Sequence, residues 1–262
     1  MSEVLALDGI SVHFGAVRAV DEVSLGLTAG KVYGVVGPNG SGKSTLLGAV
    51  SRLTPSTAGT IRFRGSDCTR WTPQRLARHG LARTFQTVRL LPTLSVLDNI
   101  RLGADVRVVG TGVWKPWVLP VWSARRERTI REIAERAMER LGITALRDRL
   151  PHQLSYGNQR RVEIARAIAA DPAMLLLDEP TAGMTGDERD GIVQVVASLR
   201  AEGLTQVVVD HDVDMIVNLA DHLFVLSEGR VIAQGHPPDV VGDPRVQEAY
   251  LGRRHRADTG DR

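Results

Sequence analysis

The run Gly-Pro-Asn-Gly-Ser-Gly-Lys-Ser-Thr at residues 37–45 limits the possible folds of this chain most strongly, because it contains Gly-x-x-x-x-Gly-Lys-Ser in full. Residues 31–36 before it are apolar enough for a buried strand, and residues 44–50 after it can continue as a helix. A strand, a glycine-rich loop and a helix in this order form a phosphate cradle, because glycines let successive backbone N–H groups point at one anion. The sequence therefore predicts a site for a di- or triphosphate.

The residues of this loop have predicted contacts with the phosphates. Lys43 is expected to reach the β- and γ-phosphate oxygens, Ser44 to offer its hydroxyl to Mg²⁺, and Thr45 to touch the α-phosphate. The other predicted phosphate-binding residues are Gly37, Pro38, Asn39, Gly40, Ser41 and Gly42. An ordinary glycine-rich loop is the alternative, and the strand and helix around the motif disfavour it.

Composition sets the class of protein. The chain has 262 residues, of which 43% are hydrophobic and 24% charged, as in ordinary globular domains. The single cysteine, Cys68, excludes an intrachain disulfide and a zinc site made of several cysteines. A net charge of only +3 gives no argument for a nucleic acid partner. No apolar run approaches the roughly twenty residues that cross a bilayer, so we expect a protein that is soluble, or peripheral to a membrane.

Strand-like and helix-like segments alternate after the loop, which predicts an α/β fold with a mostly parallel sheet. A small antiparallel sheet beside the nucleotide is predicted from the short apolar runs at 4–12, 22–27 and 59–63. Later strands are expected at 174–177 and 205–209, and a hairpin at 223–226 and 230–233.

Between about 90 and 166 the pattern becomes helical, so we expect a helical subdomain inserted in the α/β core. Its helices are predicted at 94–102, 123–141 and from 158. The whole is interpreted as a single domain over residues 1–252, followed by a polar, aperiodic tail at 253–262 that is predicted to be disordered.

Two carboxylates and a histidine follow predicted strands. The apolar run at 174–177 ends in Asp178 and Glu179, at the strand edge where open α/β sheets bind ligands. Asp178 is expected to hold Mg²⁺ through water, and Glu179 to polarise the water that attacks the γ-phosphate. His211 follows the strand at 205–209, where it is expected to donate a hydrogen bond to the γ-phosphate. A polar turn at the end of each strand is the alternative interpretation.

A further anion site is predicted where Ser155 and Gly157 begin an amphipathic helix, because a hydroxyl, exposed N–H groups and the helix dipole meet there. The run Leu-Ser-Tyr-Gly-Asn-Gln-Arg-Arg-Val-Glu-Ile-Ala-Arg-Ala-Ile at 154–168 makes the chain resemble the ATP-binding-cassette (ABC) ATPases. The phosphate loop, Gln86 in Arg-Thr-Phe-Gln, this signature, the acidic strand and His211 match that family in order and spacing, over roughly residues 4–235.

The resemblance implies a P-loop NTPase (RecA-like) core that hydrolyses ATP with Mg²⁺. It also implies a head-to-tail dimer, in which the signature of one subunit closes over ATP held by the phosphate loop of the other. The second subunit would be an identical copy or a paralogue. By resemblance, Ser155, Gly157 and Asn158 bind the nucleotide of the partner, and Gln86 approaches Mg²⁺ and the attacking water.

Other positions carry over or depart from the family. Phe14 matches the aromatic residue on which adenine stacks, and a core aromatic is the alternative. Tyr156 stands where the family usually has a glycine of the signature, Asn158 replaces its glutamine, and Thr185 replaces the usual aspartate after the acidic strand.

Three stretches look like the ATPases of branched-chain or hydrophobic amino-acid importers: Leu-Ser-Tyr-Gly, Glu-Pro-Thr-Ala-Gly-Met at 179–184, and Val-Gln-Glu-Ala-Tyr-Leu-Gly at 246–252. This implies transmembrane permease subunits as partners and a peripheral position at the cytoplasmic face of the inner membrane. The alternatives are a urea or amide importer, lipopolysaccharide export, or a non-transport ABC ATPase of translation or DNA repair. A GTPase-type switch is disfavoured because Asn-Lys-x-Asp is absent.

An insertion at 103–128 also resembles this subfamily, and it carries Trp114, Trp117 and Trp122. We expect these tryptophans to form a docking surface for the permease, and packing on their own subdomain is the alternative. For the Arg-rich helix at 123–141, interspersed glutamates favour a solvated, ion-paired face over a contact with lipid headgroups.

Overall fold

The structure, a computed structural model, describes residues 2–109 and 120–250, with the side chains of 107–109 and 120–123 excepted. The predictions for the three tryptophans and for the tail at 253–262 lie outside this description. The strands within it are β1 (Glu3–Phe14), β2 (Val17–Thr28), β3 (Val32–Val36), β4 (Ala58–Phe63), β5 (Ser66–Asp67), β6 (Leu81–Arg83), β7 (Met174–Asp178), β8 (Thr205–Val209), β9 (His222–Ser227) and β10 (Arg230–Gly235). The α-helices used below are α1 (Lys43–Val50), α2 (Pro73–Arg78), α3 (Val96–Val109), α4 (Pro120–Arg140), α5 (Tyr156–Ala169), α6 (Gly186–Ala201), α7 (Val213–Leu219) and α8 (Pro237–Val241).

The central sheet has the strand order β10-β9-β3-β8-β7-β6, and only β10 runs antiparallel to its described neighbour. Strands β3, β7 and β8 are buried along their whole length, as apolar runs in a parallel sheet covered on both faces should be. A second, antiparallel sheet has the order β2-β1-β4-β5. The predicted α/β fold with a small antiparallel sheet is therefore confirmed.

The hydrophobic core has two layers, one on each face of the central sheet. Because side chains alternate along a strand, Leu176 packs under the antiparallel sheet and α1, whereas its neighbours Leu175 and Leu177 pack against the helices of the other face. By the same alternation along β3, Tyr33 and Val35 lie on the face that packs under the antiparallel sheet and α1, together with Leu176. The antiparallel sheet is thus held beside the start of α1, next to the loop at 37–45.

Helices α3, α4 and α5 lie between β6 and β7 in the chain and pack on one another. The approach is close at Gly103, where an added Cβ would lie 1.9 Å from the Arg166 carbonyl oxygen. Helix α3 begins at Val96, not at the predicted residue 94, because Ser95 accepts a hydrogen bond from the Asp98 amide and so caps the helix. Helix α4 shows ion pairs along its exposed face, as expected, including Arg128 with Glu132.

Candidate nucleotide site

The loop at 37–45 is held between β2 and the turn that joins β9 to β10. Gly37 and Gly42 have φ of 153° and 102°, in the region that favours glycine. A Cβ on Gly37 would lie 2.2 Å from the Leu226 carbonyl oxygen, and one on Gly42 would lie 2.2 Å from that of Ala19. These glycines therefore let three segments of backbone meet at the loop.

Lys43 lies inside this loop and is only 6% exposed. Its Nζ donates to the Gly37 carbonyl at 2.7 Å and to the Pro38 carbonyl at 3.0 Å, so its charge is held over the loop backbone. Within the described residues, the buried Ser41 Oγ has no hydrogen-bond partner. A buried cation beside an unpaired hydroxyl fits a phosphate ligand. Asn39 and Gly40 are exposed at the rim, and Thr45 is half-buried on α1.

The candidate magnesium ligands meet at the end of β7. Ser44 Oγ donates to Asp178 Oδ1 at 3.4 Å, and the carboxylate is otherwise buried. A hydroxyl and a carboxylate oxygen this close fit two positions around one Mg²⁺, which prefers oxygen ligands and keeps several waters. The described residues include no cluster of three or more His, Cys, Asp or Glu that could hold a metal ion without a substrate.

The other carboxylate oxygen of Asp178 accepts a hydrogen bond from Arg83, which sequence reasoning did not assign. The Arg83 guanidinium lies 2.8 Å from Asp178 Oδ2 and also donates to Ser51 Oγ, directly after the end of α1. The ion pair is almost fully buried, so it orients the carboxylate toward Ser44. The signal for it was present in the run Arg-Thr-Phe-Gln, where Arg83 ends β6 three residues before Gln86.

Glu179 leaves the sheet in a strained conformation. Its φ is +45°, which is unfavourable for a residue with a side chain, and its amide is held by the Val209 carbonyl at 2.8 Å. The Gln86 amide Nε2 donates to Glu179 Oε2 at 2.9 Å. The structure thus brings these two predicted site residues into direct contact, and the strained backbone turns the carboxylate out of the sheet.

His211 follows β8, and its side chain is 62% exposed. Asp210 beside it is fully buried and accepts hydrogen bonds from the His211 amide at 2.8 Å and from the Thr181 hydroxyl at 2.8 Å. The buried carboxylate therefore holds the histidine backbone and the segment after Glu179 together. The imidazole is left facing solvent at the sheet edge.

The sheet order explains why these residues converge. Strands β3, β8, β7 and β6 are consecutive and parallel, so their carboxyl ends meet at one edge. From these ends the chain continues into the phosphate loop, His211, Glu179 and Gln86. Phe14 lies nearby at the end of β1, opposite Val17, and is 57% exposed. The same hairpin supplies Ala19, which contacts the loop at Gly42.

The signature residues lie on the helical layer. Ser155 caps α5 by accepting a hydrogen bond from the Asn158 amide at 3.4 Å, and its side chain is exposed. The Gly157 amide donates to Glu188 Oε1 at 3.1 Å, a contact that sequence reasoning missed. This amide, together with the Ser155 hydroxyl, lowers the pKa of the Glu188 carboxyl. The Glu188 carboxylate of α6 therefore already lies at the start of α5.

Thr185 is the N-cap residue directly before α6, and it binds the same Glu188 carboxylate. Its amide donates to Glu188 Oε2 at 3.4 Å, and its hydroxyl lies at the same distance. Glu188 therefore satisfies orphan donors at the starts of two helices at once. The threonine that replaces the usual aspartate has a local capping role in this chain.

Comparisons with known proteins agree with this arrangement. A family profile described as ABC transporter matches residues 20–182, and a second, described as branched-chain amino acid ATP-binding cassette transporter, matches residues 230–256. The probable branched-chain amino acid transport ATP-binding protein LivG of Methanocaldococcus jannaschii is 34% identical over 257 residues, which cover 95% of this chain and 98% of that protein. The high-affinity branched-chain amino acid transport ATP-binding protein BraF of Pseudomonas aeruginosa is 34% identical over 250 residues, with the same coverage.

Solved structures are similar as well. An ATP-binding cassette of an ABC transporter in its ADP conformation has a TM-score of 0.82 at 34% identity, covering 96% of this chain and 100% of that one. A dimeric ATP-binding cassette bound to ADP and Pi has a TM-score of 0.72 at 26% identity, covering 89% of this chain and 98% of that one.

Proposed function

The chain belongs to the ATP-binding cassettes of ABC transporters and is an ATPase, and on that premise we propose that it powers an importer of branched-chain or similar hydrophobic amino acids. The observation that carries this choice of cargo is the match of residues 230–256 to a profile specific to branched-chain amino acid cassettes. Relatives named for the same cargo align over nearly the whole chain, which supports the choice. We also propose that residues 1–252 form one cassette, with the helical subdomain at about 90–166.

For the reaction, we propose that the loop amides and Lys43 hold the ATP phosphates, while Glu179 accepts a proton from the attacking water. Gln86 would orient that water through its contact with Glu179, and His211 would donate to the γ-phosphate. Mg²⁺, held by Ser44 and Asp178 with Gln86 nearby, would neutralise charge on the phosphates. Phe14 would stack on adenine at the rim of the loop. Positioning and charge account for most of the rate increase in this class of chemistry.

We propose that the working unit is a head-to-tail dimer with ATP at each interface. Ser155, Gly157 and Asn158 would form a second anion site at the start of α5, where Ser155 is the exposed N-cap. The dimeric form of a solved cassette similar to this chain supports the arrangement. The second subunit is either a copy of this chain or a paralogue.

We propose that transmembrane permease subunits bind next to Gln86, at an apolar patch formed by Leu91, Leu102 and Val106. All three are more than 40% exposed, and Leu102 and Val106 lie one turn apart on α3, where their side chains share a face. Leu91 is held to α3 by Asn99, whose side chain bonds both its amide and its carbonyl. In the described part of the chain, we find no helix of sufficient length and apolarity to span a bilayer. A peripheral position at the cytoplasmic face, through the permease, follows from this proposal.

Co-purification tests the proposal. The tagged chain, isolated from a detergent extract of its native membranes, should bring with it a polytopic permease and support ATP-dependent leucine uptake after reconstitution into liposomes. Matched extracts should be made with Leu102→Asp and with Glu132→Gln, a change on an exposed face of α4. Loss of the permease with Leu102→Asp alone supports the proposed patch. Recovery of a permease that transports urea, or of no membrane protein, would contradict the proposed cargo or the transport role.

A further inference from the structure

Arg160 is a cation that lies wholly inside the protein, on the signature helix α5 and five residues after Ser155. Its side chain is 0% exposed. A guanidinium taken out of water destabilises the fold unless its charge and its N–H groups are paired. The hydrogen-bond partners of Arg160 therefore indicate which segments of the protein it holds together.

The guanidinium binds the loop that carries Gln86. One nitrogen, Nη2, donates to the Gln86 carbonyl at 2.6 Å, and the other, Nη1, donates to the carbonyl of Phe85. Between β6 and α3 the chain from residue 84 to residue 95 has no regular secondary structure, so these carbonyls belong to an irregular segment. A planar fork with two nitrogens suits two adjacent carbonyls, whereas a lysine ammonium is a single point donor.

Glu163 completes the arrangement one turn later on the same helix. It is 2% exposed, and one of its oxygens accepts from Arg160 Nη1 at 2.7 Å, while the other accepts from the Arg89 amide at 3.4 Å. Burial raises the pKa of the Glu163 carboxyl, and the neighbouring arginines oppose that shift. The pair thus holds the irregular loop at residues 85, 86 and 89 onto α5.

The other end of Gln86 contacts the carboxylate that we assign as the base. Its Nε2 donates to Glu179 Oε2 at 2.9 Å. We propose that Arg160 is a positioning residue, which holds Gln86 against Glu179 and makes Gln86 move with the signature helix. The inference rests on the proposed roles of Gln86 and Glu179. It adds a physical link between Ser155, at the start of α5, and the catalytic edge of the sheet.

Steady-state ATP hydrolysis by Arg160→Lys tests the link. The lysine keeps the charge beside Glu163 but cannot span both carbonyls, so we expect kcat to fall about 10- to 100-fold, the range for a misplaced catalytic group. The KM for ATP should stay within about twofold, because no phosphate-binding residue is changed. Arg147→Lys is the control, since Arg147 forms a partly exposed ion pair with Glu135 in the same helical layer.

A double-mutant cycle separates positioning from general damage. If Arg160 acts through Gln86, then Arg160→Lys added to Gln86→Ala should lower kcat no further than Gln86→Ala alone. Independent, multiplied losses would overturn the inference while leaving the role of Gln86 intact. An unchanged kcat in Gln86→Ala would overturn the inference together with the proposed role of Gln86, but not the ATPase assignment, which Glu179→Gln tests separately.

Glu163→Gln covers the case in which Arg160→Lys does not fold. The glutamine keeps an oxygen for Arg160 and the same shape, but it weakens the hold on the guanidinium because the charge is gone. We expect a smaller fall in kcat, again absent when Gln86 is alanine. A fall of equal size in both backgrounds, or no fall at all with a normal melting temperature, would contradict the inference.

Discussion

The phosphate-loop half and the signature half of this chain are both built for anions, and they are built differently. The loop follows a buried strand, and two of its glycines, Gly37 and Gly42, approach neighbouring backbone so closely that a side chain cannot fit. The signature is a helix start on the outer layer, where the neighbour of Gly157 is the flexible side chain of Glu188. One half is thus enclosed by its own subunit, and the other faces outward.

This difference shows how one chain can carry two half-sites without joining them. Lys43 is buried over the loop, and its ammonium group donates to a loop carbonyl of its own subunit. Ser155 is exposed, and the Gly157 amide donates to the Glu188 carboxylate of the same chain, at the place where the proposed dimer would put a phosphate. In the proposed dimer, a phosphate held by the partner subunit would therefore compete with Glu188 for the Gly157 amide. The following predictions test this comparison, from the largest expected effect to the smallest.

Glu179→Gln should slow catalysis and leave both the phosphate loop and the signature able to bind ATP. We expect turnover to fall by about 10²- to 10⁴-fold, the range for the loss of a general base, with ATP binding retained. The variant should elute as an ATP-dependent dimer in size-exclusion chromatography. Near-normal turnover would contradict the assignment of the base, and a variant that hydrolyses slowly but stays monomeric with ATP would contradict the proposed dimer.

Gly42→Ala should destabilise the phosphate loop much more than Gly157→Ala destabilises the signature. The added Cβ on Gly42 would lie 2.2 Å from the backbone oxygen of Ala19, whereas on Gly157 it would lie 3.0 Å from a side-chain carbon of Glu188 that can move. We expect Gly42→Ala to lose ATP binding and about 1–3 kcal/mol of stability, as for strained backbone.

Gly40→Ala is the matched control for this pair, because Gly40 also has positive φ but has open space around it. Its melting temperature should fall less than that of Gly42→Ala. Equal losses in melting temperature and in ATP affinity for Gly42→Ala and Gly157→Ala would show that the two halves do not differ in the way described.

Glu188→Gln should strengthen ATP-driven dimerisation modestly. The amide keeps an oxygen for the Gly157 amide but removes the negative charge, so a phosphate should be favoured by about two- to fivefold, the scale of a charge at a helix start. Asp187→Asn, on the neighbouring exposed residue, is the control. Weaker dimerisation in Glu188→Gln would contradict competition and would indicate that the carboxylate supports the signature instead.

The pH dependence of this effect has a definite sign. Because the pKa of Glu188 is lowered by the Gly157 amide and the Ser155 hydroxyl, its contribution to stability is present above the unfolded pKa and is lost as pH falls through the lower, folded value. The carboxylate is therefore charged throughout neutral pH. The difference in dimerisation between Glu188→Gln and the unchanged chain should be constant between about pH 6 and pH 8.

Local sequence patterns were sufficient to predict the elements of the site. They did not predict the contacts between elements that are distant in the sequence. The phosphate loop, Asp178, Glu179 and the strand before His211 each depend on a few consecutive residues, so periodicity and glycine spacing indicate them. Strand β6 was missed because it has three residues and little pattern of its own. The contacts of Arg83, Arg160 and Glu188 join segments 31 to 95 residues apart, which sequence spacing alone does not reveal.

The structure describes the fold directly, whereas it bears on the predicted roles of individual residues only through their contacts and exposure. The structure places Gln86 against Glu179 and places Ser44 beside Asp178, and these contacts make the proposed chemistry geometrically reasonable. It places Phe14 at the surface near the loop, so a buried core aromatic is excluded for this residue. The role of each residue stays a prediction until the variants are measured.

Nucleotide trapping in a mixed dimer tests most directly whether the two halves belong to different subunits. Two versions of the chain, both carrying Glu179→Gln, are prepared, one also with Lys43→Ala and the other with Ser155→Arg. Each alone should retain no ATP after gel filtration, because neither can form an interface with an intact loop and an intact signature. Co-assembled through different affinity tags, the pair should retain about one ATP per dimer, at the one intact interface. Retention of ATP by the Ser155→Arg chain alone, as in a self-contained site, would contradict the account.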